Sequence, residues 1–419
     1  MRLPPLHHFL LPLAFLLAPV RLGAQSDSGF SAWARTRAIP IDSSGRAFRA
    51  LDSAASRARL IGVGESVHGV REFTTFRVAL LQHLVRDQRV TAVILESGLP
   101  EAVAVDDYVR GRSDTVDFAA HLGPEFSESG EVRRALAWLR EWNRGPGRSH
   151  PVAVYGADIS IGDGRSMLPT LDGLRAVVDN DPRIGAVLDS LRPAAASVAA
   201  PWWNAAVQKY AASSAETKAR LTRLTERLVA EARRWRGGPP DRRAWAERYA
   251  LIAQQDEVML REGPFSPDNP RDVAMAANIG WIVDRLPRGE RAVVWAHNAH
   301  VQAVPIAGEA VGPRSFPSMG VRLRRALGEG YFAIGTAYGG ASVDSLRPPR
   351  AGSVDAALGG IAHAPYLLLL GGAPRDGAGA WLRSARPMRF QVGHLEVALN
   401  AAFDAIVYFD QVSRADSAR

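Results

Sequence analysis

The residues best suited by type and spacing to do chemistry lie in two short motifs. In Gly64-Glu65-Ser66-Val67-His68-Gly69, two glycines flank a carboxylate and an imidazole three residues apart. Glycine permits tight turns and lets backbone approach a ligand closely. A carboxylate near a histidine orients the ring and stabilises its protonated form, which is the arrangement a general base needs. The plainer alternative is a strand-to-helix turn in which the glycines serve only the backbone. In His297-Asn298-Ala299-His300, two imidazoles stand three residues apart. They can form a metal pair, an oxyanion-stabilising pair, or two hydrogen-bonded loop histidines. The spacing is not the i, i+4 spacing of HExxH zinc enzymes. Two His and two Glu could still make a divalent-metal site by composition.

The elements that position these motifs are short apolar, β-branched runs. Candidate strands are Arg59–Gly64, Val90–Leu95, Val152–Tyr155, Ala292–Trp295, Tyr331–Gly335, Tyr366–Leu370 and Ala405–Phe409. Runs that are apolar almost throughout mark strands covered by helices on both faces. Amphipathic segments alternate with them: Glu72 to Val85, Glu131 to Trp142 and Ser318 to Leu327. This alternation predicts an α/β fold with a largely parallel central sheet. Glu65, Glu96, Asp158 and His297 then sit at or just past the C-terminal ends of four strands. In open α/β sheets that edge binds ligands. Charged groups are costly to bury without partners, so their convergence points to one shared polar site.

Between the third and fourth core strands the rhythm breaks. Residues 166–287 show no strand pattern but long helical ones: Ser214 to Trp235, Asp241 to Arg261 and Pro270 to Leu286, the last with Asn269 as cap. The expected organisation is an N-terminal linker and first helix (25–58), a first core part (59–165), a helical insertion (166–287), a second core part (288–411) and a loose tail (412–419). Gln25 to Gly29 and the residues after Asp410 are polar and read as unstructured. Pro201-Trp202-Trp203 could line an apolar pocket or pack the core of the helical insertion.

Composition narrows the function. The chain has 419 residues, 47% hydrophobic and 22% charged, as in ordinary globular proteins. It has no cysteine, which excludes disulfides, thiolate metal sites and a cysteine nucleophile. No G-x-S-x-G elbow, P-loop or dinucleotide fingerprint occurs; Asp158-Ile159-Ser160-Ile161-Gly162 is a poor imitation of the first. The net charge is +8, but the arginines are interspersed with Asp and Glu, which does not suggest nucleic-acid binding. Arg2, His7 and His8 precede the apolar run Phe9 to Val20, and Leu22-Gly23-Ala24 offers a cleavage site. Residues 1–24 are therefore expected to be a removable signal peptide, sending the protein to the periplasm or outside the cell without a stable membrane anchor.

In combination and order, these motifs resemble the erythromycin esterase family. Gly64 to Gly69 resembles its first signature, with Val67 where a Thr often stands and Arg77 following on the next helix. Ile94-Leu95-Glu96-Ser97, Arg271-Asp272-Val273-Ala274-Met275-Ala276-Ala277-Asn278 and Trp295-Ala296-His297-Asn298-Ala299-His300 resemble further signatures. Ser318-Met319-Gly320 and Phe403-Asp404-Ala405 extend the match, which spans about Leu60 to Phe409. The resemblance implies hydrolysis of a small-molecule ester or lactone, in the best-known members the macrolactone of erythromycin, with no cofactor and no covalent acyl-enzyme. It implies that His68 activates water and that Glu65 and Glu96 orient it. His297 and His300 would bind or polarise the ester carbonyl. Arg77 and Arg271 would hold carboxylates or substrate, and Asp158 joins them as a candidate substrate contact. A water nucleophile needs a base that is neutral near pH 7, and protonated His or Arg can stabilise the oxyanion. A metal-dependent hydrolase built from the same Glu and His residues, and a non-catalytic protein binding haem or another small molecule, are the two rival readings.

Overall fold

Among the described residues twelve strands and their helices follow one another in the order that apolar runs and amphipathic stretches demand. The computed structural model describes residues 28–179, 181–341, 349–375, 377–391 and 393–415; the expected signal peptide, 1–24, lies outside them. The strands are β1 (Ile39–Pro40), β2 (Leu60–Glu65), β3 (Val90–Gly98), β4 (Ala153–Asp158), β5 (Arg291–His297), β6 (Ile306–Gly308), β7 (Gly312–Phe316), β8 (Tyr331–Ala341), β9 (Tyr366–Leu369), β10 (Ala385–Phe390), β11 (Gly393–Ala398) and β12 (Ala405–Val412). Eight of them form one sheet in the order β1-β9-β12-β8-β2-β5-β3-β4. Neighbours from β12 to β4 run parallel. Only the β1–β9 edge is antiparallel, β9 to β12 and β1 to β9. The hairpins β6–β7 and β10–β11 stand apart from the sheet.

Every residue of β2 and β3 is buried, as continuous apolar runs require. Successive side chains point to opposite faces. Ile61, Val63, Val93, Leu95, Val293 and Trp295 pack with Phe73, Phe76, Leu80 and Leu84 of the helix Arg71–Asp87. Leu60, Ile94, Ala292, Val294 and Ala296 meet the other layer, which includes Met275, Ile279 and Ile282 of the helix Pro270–Arg285. Each large apolar side chain so enclosed contributes roughly 1.5–3 kcal/mol before the entropy of ordering it.

Between β4 and β5 the named elements are all helices: Leu168–Val177, Pro182–Val198, Trp203–Ala212, Ala215–Arg234, Pro240–Glu262 and Pro270–Arg285. The last three match the helices expected from the sequence. Ser214 caps the first of these by accepting from the Thr217 amide, and Asn269 caps the last by accepting from Asp272. The first three were not expected. Pro193 interrupts the pattern inside Pro182–Val198 without ending the helix. Trp203 packs edge-on to Phe265, with ring centroids 5.7 Å apart, whereas Trp202 is 60% exposed. Only Trp203 therefore fits the core-packing reading of that pair.

Both presumed loose ends are tied down within the described residues. Ser28 and Gly29 open a helix over 28–35. Its Phe30 is fully buried and stacks on Trp381 at 3.7 Å. At the other end β12 runs to Val412, and Ser413 gives its amide and hydroxyl to the Glu72 carboxylate, both at 2.7 Å. Arg414 then bridges to Val70. The polar tail is ordered to this point because a carboxylate at the start of the helix Arg71–Asp87 takes up its donors. Among the described residues no helix is long and apolar enough to cross a membrane.

The buried stack predicts that Phe30→Ala lowers unfolding stability by about 3–5 kcal/mol. Denaturant unfolding followed by circular dichroism measures it; a loss below about 1 kcal/mol would show that the first helix is not part of the cooperative core.

Candidate active site

The site forms where β2 parts from β8. Parallel pairing of β2 with β5 continues to the end and sets Glu65 beside His297. Pairing with β8 stops at Val63 and Ile334. The Asn298 side chain fills the gap: its amide donates to the Thr336 carbonyl at 2.8 Å and its oxygen accepts from the Thr336 amide at 3.2 Å. A Cβ on Gly64 would lie 2.1 Å from that oxygen, so glycine is needed there. The Thr336 hydroxyl accepts from the Ser66 amide at 3.1 Å and holds the following loop. On β3 the pairing with β4 slips between Leu95 and Gly98. A bulge of this kind re-aims side chains, and here it falls on Glu96 and Ser97.

Each buried carboxylate at this edge has a cation. Glu65 accepts from His68 Nδ1 at 2.7 Å through Oε1 and from Arg77 Nη1 at 3.0 Å through Oε2. Arg77 also donates to the carbonyls of Val63 at 2.9 Å and Ala296 at 2.6 Å, tying β2 to β5 from beneath. Glu96 accepts from Arg271 Nη2 at 3.0 Å and His300 Nε2 at 3.2 Å through Oε1, and from the His297 amide at 2.7 Å through Oε2. Arg271 reaches on to Asp158 at 2.6 Å. Asp272 accepts from His300 Nδ1 at 2.8 Å and from the Met319 amide at 2.6 Å. Arg271 Nη1 and His300 Nε2 lie 3.3 Å apart, so the two groups meet beside the Glu96 carboxylate they share.

The three histidines of the two motifs have different fates. His297 Nε2 donates to the Ser66 carbonyl at 2.9 Å, and Nδ1 accepts from the Ala299 amide at 3.1 Å. Those partners define a neutral tautomer. Burial, then the charges of His68 and His300, push its pKa down to about 3. His300 opposes burial with Asp272 and Glu96, which raise its pKa to about 10. For His68 burial also favours the neutral ring, but the Glu65 hydrogen bond and the charges of Glu65, Glu96 and Glu125 outweigh it and raise its pKa to about 9. Burial alone would protonate Glu65 and Glu96. Arg77 and then His68 hold Glu65 below the usual carboxylate range, and His300 and Arg271 hold Glu96 well below it.

The structure thus brings together all eight residues singled out in the sequence, but it reassigns several. Arg77 is 2% exposed and Asp158 fully buried. Arg77 holds Glu65, one of the two roles expected of it, and Asp158 holds Arg271. His297 and His300 have both ring nitrogens engaged by groups of the protein. Of the six ring nitrogens, His68 Nε2 is the one without a partner among the described residues, on a side chain 34% exposed. His68 is not neutral near pH 7 as expected; Glu65 makes it largely a cation there. Among the described residues no three His, Asp or Glu side chains form a group that could hold a metal ion, because their donor atoms point at one another. Ser97 is structural: its hydroxyl donates to Asp163 at 2.9 Å and accepts from the Gly123 amide at 3.1 Å.

Sequence reasoning missed four contributors. Asp272 lies inside a quoted motif, but its bond to His300 spans the two chain segments. Glu125 and Asp163 sit in short turns without a periodic signal. Phe390, at the end of β10, meets the edge of the His297 ring with centroids 4.7 Å apart, and the next amide, of Gln391, donates to the Ser66 carbonyl at 3.1 Å. The β10–β11 hairpin thereby covers the His68 loop.

The profile of the family described as Erythromycin esterase matches residues 85–412, a stretch that includes Glu96, Asp158, Arg271, His297 and His300. The Erythromycin esterase type II of Escherichia coli is 25% identical over 92% of this chain and 98% of its own. A solved protein from Bacillus cereus shares the fold with a TM-score of 0.78 at 22% identity, over 94% of this chain and 99% of its own. Erythromycin esterase EreC, a mutant solved in its open conformation, does so with a TM-score of 0.70 at 23% identity, over 90% of this chain and 98% of its own.

Removing the charge that holds the His68 proton should release it. Glu65→Gln is expected to lower the His68 pKa from about 9, leaving burial to favour the neutral ring. Titration of the His68 ring resonances by NMR reads this directly. An unchanged midpoint would mean that Glu65 does not set the protonation of His68.

Proposed function

Since the chain belongs to the erythromycin esterase family, we propose that it is a hydrolase that cleaves a carboxylic ester or lactone with water activated by His68. The observation that carries this reading is the free Nε2 of His68, backed through Nδ1 by Glu65 and through Glu65 by Arg77. A carboxylate behind one ring nitrogen fixes the tautomer and supports the positive charge that develops when the other nitrogen takes a proton. Water loses a proton to Nε2 as its oxygen bonds to the ester carbon. The carbonyl oxygen becomes an oxyanion, and positive charge fixed nearby lowers its energy. Arg271 supports that role, since its side chain is 21% exposed although two carboxylates hold it. Ser66 is fully buried and Ser97 is bonded to Asp163 and Gly123, which supports direct attack by water over an acyl-enzyme on either. The basic-then-apolar start of the sequence supports export, so the substrate would be met in the periplasm or outside the cell.

His68→Ala should reduce kcat/KM on any cleaved ester by about 10²–10⁴-fold. Because the His68 ring is part-exposed, the melting temperature should change little. Activity that persists in this variant, or no turnover by the wild type across a panel of lactones and simple esters, overturns the reading. The pH profile gives a second check. With a pKa of about 9, roughly one His68 in a hundred is neutral at pH 7. The wild-type kcat/KM should therefore climb by about tenfold per pH unit above neutrality and level off near pH 9. A plateau already at pH 7 would show that another group is the base.

A further inference from the structure

Near the end of β3, one residue past Glu96, stands a further pair of carboxyls, and His68 is the charge that acts most on one of them, Glu125. Gly123 turns the chain into the short helix Pro124–Ser127, and Glu125 leans back over it. The turn is fastened to the end of β3, where the Gly123 amide donates to the Ser97 hydroxyl at 3.1 Å. Arg165 braces it from outside by donating to the carbonyls of Ala119 at 3.1 Å and Leu122 at 2.9 Å. A Cβ on Gly123 would lie 2.7 Å from Glu125 Oε1 and 2.8 Å from Asp163 Oδ1. The two carboxyls therefore face each other across a residue that has no side chain. Asp163 has a side chain only 4% exposed. Its bonds from the Ser97 hydroxyl at 2.9 Å, the Gly98 amide at 3.1 Å and Arg165 at 3.4 Å all fall on Oδ2, which leaves Oδ1 turned to Glu125.

Glu125 makes no hydrogen bond to another side chain among the described residues. That sets it apart from Glu65, Glu96, Asp158 and Asp272, each of which is engaged by a cation. The charges that act on Glu125 are His68 first, then Glu96 and Asp163. Burial and these two anions raise its pKa to about 7, against the pull of His68, so a proton is held there near neutrality. Burial and Asp158 likewise raise Asp163 to about 6. Close carboxyls resist ionising together, so one retains a proton.

We propose that Glu125 is the general acid that protonates the departing alcohol oxygen, with Asp163 as its positioning residue. The proposal rests on His68-driven ester hydrolysis. Water gives one proton to His68 Nε2 while its oxygen bonds to the carbonyl carbon, and the carbonyl π electrons move to oxygen. As the C=O bond re-forms, the C–O bond to the alcohol breaks and its electron pair goes to the alkoxide oxygen. That oxygen takes the Glu125 proton, and the alcohol and acid leave. The proton on His68 then passes to the Glu125 carboxylate, directly or through water, and restores both groups. An alkoxide is a poor leaving group unprotonated, whereas a nitrophenolate needs no acid.

The test compares an alkyl ester and a 4-nitrophenyl ester of the same acid. In Glu125→Gln, kcat on the alkyl ester should fall by on the order of 10²-fold, while kcat on the nitrophenyl ester falls only a few-fold. Glu125→Asp, which keeps an acid on a shorter arm, should recover part of the alkyl-ester rate and so narrow the gap between the two esters. Equal losses on both esters in the two variants would mark Glu125 as structural and overturn the proposal, leaving His68 hydrolysis standing. Failure of the wild type to cleave either ester, or any other ester offered, would overturn the hydrolytic reading and this proposal with it.

Discussion

Charge buried at the end of a sheet has to be neutralised where it stands, and that constraint organises this protein. Glu65 and Glu96 occupy strand termini from which water is nearly excluded. Removing one partner of such a pair typically costs about 3–5 kcal/mol, because it strands the other charge. Each carboxylate is therefore built with its cation from another part of the chain. Arg77 arrives from the helix after β2, and Arg271 and His300 arrive from the last insertion helix and the turn after β5. The helical insertion is thus electrostatically part of the site. Without Arg271, Asp158 would lose its cation and Glu96 would keep only His300, on adjacent strands.

Opposite protonation of two histidines three residues apart follows from the same constraint. His297 meets only backbone, a carbonyl at one nitrogen and an amide at the other, and burial makes it neutral. His300 meets a carboxylate at each nitrogen and stays charged. Residue type carries neither outcome. His297 locks the loop that bears His68, whereas His300 lends its charge to Glu96. His68 combines both situations, with a carboxylate at Nδ1 and an open Nε2, and this leaves one ring nitrogen for chemistry.

Much of this was legible in the sequence because the sheet is parallel and covered on both faces. Continuous apolar runs located β2, β3, β4, β5, β8, β9 and β12, and strand-end polarity located Glu65, Glu96, Asp158 and His297. The family resemblance added His68, His300, Arg77 and Arg271. Periodicity could not show which of these touch one another. Asp158 reads as a substrate contact and Arg77 as holding a carboxylate or substrate; burial places both under the site. The antiparallel edge of β9, the bulge at Glu96 and the splay filled by Asn298 depend on pairing register, which a single strand does not encode. Gly123, Glu125 and Asp163 lie in turns of a few residues, too short for any period, and Phe390 lies on a hairpin whose alternation is weak.

The parts that were hardest to read lie outside the pairing of the main sheet. The strand termini are held by backbone pairing and by cation–carboxylate bonds, so a shift of any one strand would break several buried contacts together. The β10–β11 hairpin and the Gly123 turn each reach the site through a few hydrogen bonds to a loop or strand end, the Gln391 amide to Ser66 and the Gly123 amide to Ser97. Both also pack on the core, through Met388 and Leu395 in the hairpin and Leu122 and Phe126 beside Gly123. A sheet edge held by buried charge pairs, fringed by a hairpin and a turn, separates the residues that hold protons from those that shape the cleft. The wall of the cleft, more than the charged centre, is then where the identity of the substrate is decided.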